Sequence, residues 1–150
     1  MVKYNRIAQV SLVLQKLKIE KRYSKLIDRM SIKKNKLICL LFLQPTEESI
    51  KYKVRIEYVL NSAPRAYLVS PDKIATFNGD KPHHLYNHKE DGKERLCVYD
   101  PTGGEWNGGM FLADTFIPWI VTWLSAYEIW QITGHWVYPE RHDQMPKNEE

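Results

Sequence analysis

The chain has 150 residues, of which 43% are hydrophobic and 27% charged, and its net charge at pH 7 is +4. These proportions are typical of a soluble globular protein and exclude a mainly disordered chain. No apolar run approaches the ~20 residues needed to span a bilayer, and the N-terminus lacks the pattern of a signal peptide. Two distant cysteines indicate a reducing, cytoplasmic compartment without a disulfide framework. We expect one domain over residues 1–150, with 139–150 as a flexible polar tail.

The N-terminal segment from Lys3 to Lys18 has the periodicity of an amphipathic helix. Its apolar stripe consists of Ile7, Val10, Val13, Leu14 and Leu17. The apolar residues that follow would fall on a different face if the helix simply continued. The pattern therefore predicts a break, or a second element, between Lys18 and Tyr23.

Basic residues are concentrated in this first quarter of the chain, and the remainder is mildly acidic. On an ideal helix a basic ridge would form from Lys18, Arg22, Lys25 and Arg29. Such a ridge is either an ordinary solvated face or a binding surface for an acidic protein or nucleic acid. Because no aromatic platform is interleaved with the basic residues, nucleic acid is the least favoured partner.

Three segments have strand character, and short connections join them. Leu37 to Leu43 is a continuous apolar run that includes Cys39, an expected core residue. From Tyr52 to Leu60 apolar and charged residues alternate, as in a strand with one wet face. Ala66 to Val69 is a short strand between two prolines. Sequential strands with short connections predict an antiparallel meander.

Two adjacent histidines, His83 and His84, follow the strands in a polar stretch that leads to Cys97. Together with His88 these residues match no spacing of a structural zinc site, and no second cysteine lies nearby, so we expect no metal. One histidine is expected to fix the loop by hydrogen bonding.

Cys97 lies in the short apolar segment from Leu96 to Tyr99. Because side chains alternate along a strand, Leu96 and Val98 would face the core while Cys97 and Tyr99 face outward. A free cysteine is also a common core residue, so core packing is an alternative of equal weight. The charges around Cys97 nearly cancel, which predicts no strong acidification of its thiol. A cysteine that only carries an acyl group receives an already activated carbonyl, so it does not need a strongly acidified thiol.

The C-terminal third predicts a helix from Ala113 to Gln131, capped by Asp114 or Thr115 and ended by Gly134. Pro118 is tolerated in its first turn. Four aromatic residues recur on one stripe, which we expect to pack on the sheet: Trp119, Trp123, Tyr127 and Trp130. Beyond the helix, three polar residues could reach the active-site side, which the sequence leaves open: His135, Glu140 and His142.

In chain order these elements predict an α+β fold, with an N-terminal helix, a meander of three or four strands, an extended loop and a C-terminal helix behind the sheet. Short motifs recur in a specific order between residues 35 and 142: Leu43-Gln44-Pro45, Tyr52-Lys53-Val54-Arg55-Ile56-Glu57-Tyr58, Ser70-Pro71, Pro82-His83-His84-Leu85-Tyr86, Leu96-Cys97-Val98-Tyr99-Asp100-Pro101, Glu105-Trp106, Pro118-Trp119, Trp123-Leu124, Tyr127-Glu128, Trp130, Thr133-Gly134 and Trp136. The ordered set resembles the bacterial ubiquitin-conjugating-enzyme-like proteins of anti-phage CBASS operons, in their short, stand-alone type II variety. The resemblance implies the ubiquitin-conjugating-enzyme fold.

The resemblance also implies roles for four residues. Cys97 takes the position of the thioester cysteine, and Trp106 that of the tryptophan shortly after it. The His-Pro-Asn signature of ubiquitin-conjugating enzymes is replaced by Pro82-His83-His84, and the loop to the cysteine is longer. His84 is the better match to the signature histidine, which makes it the second implied catalytic residue. Asn87 is the candidate for the asparagine, and with Trp106 it is implied to bind substrate; the oxyanion-stabilising group is unassigned.

The reaction and the partners follow from the same resemblance. Cys97 would carry the C-terminus of a cGAS-like nucleotidyltransferase as a thioester and transfer it to a lysine or another amine, without a cofactor. How Cys97 is charged stays open, since the sequence has no Gly-rich phosphate loop followed by Lys-Ser/Thr. In ubiquitin-conjugating enzymes the first helix docks the activating enzyme, so a separate enzyme of that kind is a candidate partner of the basic N-terminal helix.

Two other functions remain open. A cysteine hydrolase acting on a protein C-terminus would use Cys97 with His84 or His142 as its base, although the neutral surroundings of the cysteine speak against it. A non-catalytic scaffold would bind the nucleotidyltransferase without any need for the thiol.

Overall fold

The computed structural model describes residues 8–137, which form two helices and five strands. In chain order the elements are α1 (Leu12–Tyr23), β1 (Ile27–Lys33), β2 (Lys36–Leu43), β3 (Tyr52–Val59), β4 (Arg65–Ser70), β5 (Glu94–Arg95) and α2 (Phe116–Thr133). Neighbouring strands are antiparallel, and their order in the sheet is their order in the chain. The α+β fold and the antiparallel meander are confirmed, with five strands instead of three or four. The predicted tail at 139–150, with Glu140 and His142, lies outside the described residues.

The central strands β2 and β3 each have one buried and one half-buried face. Their buried side chains are Leu37, Cys39, Leu41 and Leu43 on β2, and Tyr52, Val54, Ile56 and Tyr58 on β3. The register places these residues directly opposite one another, as it does for Cys39 and Ile56. Because side chains alternate between faces, this register puts the whole set on the core side. The core position predicted for Cys39 is confirmed.

The first strand, β1, has no counterpart in the sequence-based prediction. Ile27, Met30 and Ile32 are half-buried and pack against the core. A hairpin joins β1 to β2 through Lys34 and Asn35, whose φ angles are 52° and 62°. Two successive positive φ angles are the geometry of a type I′ turn, which fits the twist of a hairpin. Of the apolar residues that follow Lys18, Ile27 and Met30 are therefore strand residues, whereas Ile19 and Tyr23 belong to α1.

The first helix differs from its prediction in its limits and in its buried face. At its start the hydroxyl of Ser11 accepts a hydrogen bond from the amide of Leu14 over 3.1 Å, and the helix continues without a break past Lys18. Its buried residues are Leu12, Gln15 and Ile19, whereas three residues of the predicted stripe are more than half exposed: Val13, Leu14 and Leu17. The part of the prediction before residue 8 lies outside the described residues.

A glutamine accounts for the choice of buried face. The side-chain amide of Gln15 donates from Nε2 to the carbonyl oxygen of Met110 over 2.8 Å, and its Oε1 accepts from the amide of Leu112 over 2.9 Å. Because both ends of the amide are bonded, the side chain is fully buried at no cost in unsatisfied polar groups. These two bonds fix α1 to the chain segment that precedes α2.

The basic ridge predicted on this helix does not form. The helix ends before Lys25, which lies in the following turn, and Arg29 belongs to β1. Lys18 and Arg22 form ion pairs with Asp114, over 3.3 and 2.7 Å. Two of the four predicted cations are thus paired within the chain, and the other two lie outside the helix.

The start of α2 differs from the prediction, and its end agrees with it. Thr115 occupies the N-cap position without a capping bond, because its hydroxyl donates to the carbonyl oxygen of Phe111 over 2.8 Å. Asp114 is held by the cations of α1, so neither predicted cap acts as one. Pro118 lies in the first turn, and Gly134 ends the helix in the left-handed region at a φ of 72°, both as predicted.

Three of the four residues in the aromatic stripe of α2 are buried and pack on the loop between β4 and β5 as well as on the sheet, whereas the fourth, Trp119, is half-buried. Trp123, Tyr127 and Trp130 are each less than a tenth exposed. The ring of Tyr127 lies 6.4 Å from that of Tyr52 on β3, whereas Trp130 lies 6.1 Å from Phe77 in the loop. The aromatic stripe therefore packs on the sheet, as expected, and also on the loop. Despite its apolar composition, α2 does not reach the length and hydropathy of a bilayer-spanning helix, and neither does α1.

Candidate active site

A short antiparallel pairing positions the cysteine. Residues 84–86, which we call the histidine arm, run alongside residues 95–97. The amide of Cys97 donates to the carbonyl oxygen of His84 over 2.9 Å, and a second main-chain bond of 3.0 Å closes the other end of the pairing. On the opposite side, the amide that precedes Cys97 donates to β4 over 2.9 Å. The backbone at the cysteine is thus held from both sides.

The predicted alternation of side chains around the cysteine is only partly correct. Leu96 and Val98 are buried in the core, 2% and 3% exposed, as predicted. The predicted outward position of Tyr99 is wrong, since it is 4% exposed and its ring packs 6.0 Å from that of Phe116. The strand β5 ends before Cys97, so no ladder enforces alternation beyond this point. The chain is therefore able to turn Tyr99 into the core.

The two cysteines occupy different environments. Cys39 is fully buried, and this burial raises the pKa of its thiol to about 12. Cys97 is half-buried and lines an open groove of about 630 Å³, which we call the Cys97 groove. Core packing, the alternative considered for Cys97, therefore describes Cys39 instead.

The Cys97 groove is lined by charged and neutral groups of both chain segments that meet at the histidine arm. Lys81 and Glu94 form an ion pair of 2.7 Å within the lining. Asp100 lies further along, where hydrogen bonds from the hydroxyl and amide of Thr102 hold the pKa of its carboxyl below the usual range. The groove thus presents one compensated ion pair and one additional carboxylate to a substrate.

His84 is buried and is not among the residues that line the groove. Its side chain is 3% exposed, and its ring lies 4.9 Å from that of Trp136. Burial, with a smaller contribution from the charge of His83, lowers the pKa of the His84 imidazole to about 4, so the ring is neutral at pH 7. The residue that lines the groove is the exposed His83. The main-chain carbonyl oxygen of His84 accepts the amide of Cys97, which connects the histidine arm to the cysteine segment.

The two residues implied to bind substrate lie in different places. Asn87 is exposed and lines the Cys97 groove. Trp106 lies outside its lining; its indole donates to the hydroxyl of Thr115 over 3.0 Å, and its ring packs edge-on to Tyr58 at 5.2 Å. Trp106 lines a separate hollow of about 220 Å³, and Pro101 borders both. The structure therefore brings Asn87 to Cys97 and places Trp106 on the far side of Pro101.

Several groove residues were not singled out from the sequence, and Tyr86 is one of them. Tyr86 lines the Cys97 groove, and the guanidinium of Arg95 lies over its ring, 3.8 Å from the centroid. Tyr86 and Arg95 lie opposite each other in the pairing, which brings the two side chains together. No local sequence pattern marks Tyr86, because its position depends on the pairing with residues 95–97.

Within residues 8–137, no group of three or more histidine, cysteine, aspartate and glutamate side chains is arranged to hold a metal ion. His135 lies exposed just beyond α2, where its amide donates to the hydroxyl of Thr133 over 3.0 Å. The other two residues considered with it, Glu140 and His142, lie outside the described residues.

Comparison with known proteins agrees with the resemblance found in the motifs. The model of the type II CBASS E2 protein family matches residues 15–143, a stretch that contains the sheet, the histidine arm, Cys97 and α2. A search of curated proteins found no match. The family match extends over most of the chain, and the five-stranded antiparallel sheet with two helices is the α+β fold expected of E2-like proteins. The chain therefore belongs to the type II CBASS E2 family, and its role is in anti-phage defence.

Proposed function

We propose that Cys97 carries the C-terminal carboxyl group of a cGAS-like nucleotidyltransferase as a thioester and transfers it to an amine, such as a lysine side chain. The observation that supports this most is the position of Cys97 at the wall of an open groove, half-buried and with its backbone fixed. Membership of a family named for E2 proteins points to conjugation. The other cysteine, Cys39, is fully buried and unsuited to such a role.

The chemistry requires two substitutions at one carbonyl carbon. In the first, the sulfur of Cys97 attacks an activated C-terminal carbonyl, the new C–S bond replaces the bond to the activating group, and the thiol proton passes to solvent. In the second, an amine attacks the thioester, the C–S bond breaks, and the amine proton is lost as the amide forms. Because His84 is buried and neutral, it supports the site without placing an imidazolium beside the sulfur.

A separate activating enzyme would supply the activated carbonyl, and α1 remains its proposed docking site. The basic ridge does not support this docking, since Lys18 and Arg22 are paired with Asp114. What supports it is an exposed apolar face on the same helix, formed by Val13, Leu14 and Leu17, which are between 51% and 59% exposed. Docking would thus depend on apolar contact more than on charge.

The test combines the protein with the nucleotidyltransferase and an activating enzyme from a CBASS operon. Wild type, Cys97→Ser, Cys97→Ala and Cys39→Ser are compared by non-reducing gel and mass spectrometry. We expect a thiol-labile adduct for wild type and Cys39→Ser, a stable ester for Cys97→Ser, and no adduct for Cys97→Ala. An adduct that persists in Cys97→Ala would rule out Cys97 as the carrier.

The same experiment distinguishes the two other functions. A hydrolase would shorten the tail of the nucleotidyltransferase by hydrolysis and accumulate no product joined to an amine. A scaffold would bind the nucleotidyltransferase equally tightly with Cys97 or with alanine at this position, and it would form no covalent product in either case. Neither pattern is expected.

A further inference from the structure

Tyr86 lines the Cys97 groove at the point where the histidine arm pairs with residues 95–97. Tyr86 lies opposite Arg95, and His84 lies opposite Cys97, as the main-chain hydrogen bonds show. Tyr86 and Cys97 thus lie diagonally across the pairing, and both line the groove.

The tyrosine ring is held in place by its neighbour. The guanidinium of Arg95 lies 3.8 Å from the centre of the Tyr86 ring, a close cation–π contact. Arg95 is itself constrained, since its side chain is 14% exposed and pairs with Glu90 over 3.5 Å. In β5, Arg95 is also in register with Tyr67 of β4. The phenol therefore lies in the groove with little rotational freedom.

The hydroxyl of Tyr86 is protonated at physiological pH. Burial raises its pKa above the ordinary value, and the nearby groups Cys97 and Asp100 raise it further, although Arg95 and Arg65 oppose them. A neutral phenol can donate a hydrogen bond.

Most other polar groups of the groove are unsuited to receive negative charge. Glu94 and Asp100 are carboxylates, which would repel it, and Lys81 is paired with Glu94. His83 and Asn87 can donate, but both are exposed. Electrostatic stabilisation of a transition state depends on donors whose position is fixed before the reaction. Tyr86 meets this condition because Arg95 and the histidine arm hold it.

We propose that Tyr86 donates its hydroxyl hydrogen bond to the carbonyl oxygen of the acyl group on Cys97 as that oxygen becomes negative. The inference rests on the proposed thioester. When the amine attacks, the carbonyl electron pair moves to oxygen, where the hydroxyl of Tyr86 stabilises it. When the pair returns, the C–S bond breaks, Cys97 leaves as the thiolate, and the amine proton passes to solvent. Tyr86 thereby supplies the oxyanion donor that the motifs leave unassigned.

The test uses a synthetic peptide with the C-terminal sequence of a CBASS nucleotidyltransferase, prepared as a mercaptoethanesulfonate thioester that transfers its acyl group to Cys97. After full charging and removal of free peptide, free lysine is added and discharge is followed by intact mass. Tyr86→Phe keeps the ring on Arg95 and removes only the hydroxyl. We expect it to slow discharge by about 10- to 100-fold, somewhat less than for a donor in a closed site, since the groove is open.

Tyr23→Phe is the matched control, because Tyr23 is half-buried like Tyr86, its hydroxyl donates to the main-chain oxygen of Ala113 over 2.9 Å, and it is not among the groove-lining residues. We expect its discharge rate to stay within about twofold of wild type. A second readout separates chemistry from structure: exchange of Cys97 with dithiobisnitrobenzoate uses the same sulfur but forms no oxyanion. Tyr86→Phe should leave that exchange rate unchanged.

Three outcomes would overturn the assignment. A wild-type discharge rate in Tyr86→Phe, with normal charging, excludes Tyr86 and leaves the thioester proposal intact. A slower discharge in Asn87→Ala combined with a normal rate in Tyr86→Phe would transfer the role to Asn87. If wild type accepts no acyl group from the peptide thioester, the carrier role of Cys97 fails and the role of Tyr86 fails with it.

Discussion

The indole N–H of Trp123 donates to the main-chain carbonyl oxygen of His84 over 3.0 Å. The same oxygen accepts the amide of Cys97 over 2.9 Å. One buried carbonyl thus connects α2, the histidine arm and the cysteine segment. The position of Cys97 depends on the C-terminal helix, although no residue of that helix is among those that line the Cys97 groove.

Substitution of Trp123 by phenylalanine should destabilise the protein and loosen the histidine arm. The change removes the hydrogen bond to His84, while the amide of Cys97 still satisfies the carbonyl, and it leaves a small cavity. We expect a loss of about 2 kcal/mol in the free energy of unfolding. Urea denaturation measures this loss, and the rate of Cys97 alkylation by iodoacetamide should rise several-fold as the arm opens more often.

Trp130→Phe is the matched control for this prediction. Trp130 belongs to the same aromatic stripe and is similarly buried, but its ring packs on Phe77 instead of the histidine arm. This variant should also lower stability. When the two variants are compared under conditions of equal stability, Trp130→Phe should raise the alkylation rate of Cys97 less than Trp123→Phe does. Equal alkylation rates in the two variants would show that the bond to His84 does not control access to Cys97.

The pattern of local periodicity explains which elements could be predicted. The strands β2 and β3 have an apolar run and a strict alternation, and α2 ends at a glycine in the left-handed region. In contrast, β1 has a register irregularity between Ile27 and Arg29, which breaks its alternation. The buried face of α1 was mistaken because Gln15 is polar, and only distant main-chain partners make its burial favourable.

The candidate site was predictable in its order along the chain and unpredictable in its geometry. Cys97 is identified by the motifs around it, and the resemblance places His84 near it. The burial of His84 depends on contacts with Trp136 and Trp123, far away in the sequence. The inward turn of Tyr99 likewise depends on packing against α2. Local sequence patterns contain no signal for such long-range contacts.

Acidification should destabilise the protein through His84. Burial lowers the pKa of His84 to about 4 in the folded protein, against an ordinary value of 6.5. Between these two values the unfolded chain binds the proton and the folded chain does not, so stability is lost as the pH falls through this window. From pH 7 to pH 5 we expect His84 to account for a loss of about 2 kcal/mol. Urea denaturation at both pH values measures it.

His84→Gln should remove this part of the pH dependence, whatever its effect on stability at pH 7. The exposed His88 provides the control, because His88→Gln keeps the buried imidazole and should retain the wild-type difference between pH 7 and pH 5. If His84→Gln loses as much stability on acidification as wild type, the destabilising proton binds elsewhere.

The two cysteines should differ sharply in reactivity. Cys97 lines an open groove, whereas Cys39 is fully buried and its burial raises the pKa of its thiol to about 12. Because the thiolate is the nucleophile, native protein at pH 8 should incorporate one equivalent of iodoacetamide, at Cys97. Peptide mass spectrometry locates the label, and Cys97→Ser should incorporate none until it is unfolded in urea. Comparable labelling of Cys39 in native protein would contradict the buried position of its side chain on β2.

Replacing Gln15 with leucine should destabilise the protein, although leucine is the more hydrophobic residue. Leucine has a similar volume, but it leaves the carbonyl of Met110 and the amide of Leu112 without their partner in a buried place. We expect a loss of about 2 to 4 kcal/mol in the free energy of unfolding, measured in urea. Gln44→Leu is the control, since Gln44 is exposed although its amide also bonds main-chain oxygens, and should cost under about 1 kcal/mol. Equal stability of Gln15→Leu and wild type would mean that α1 is not fixed to the segment before α2 through this amide.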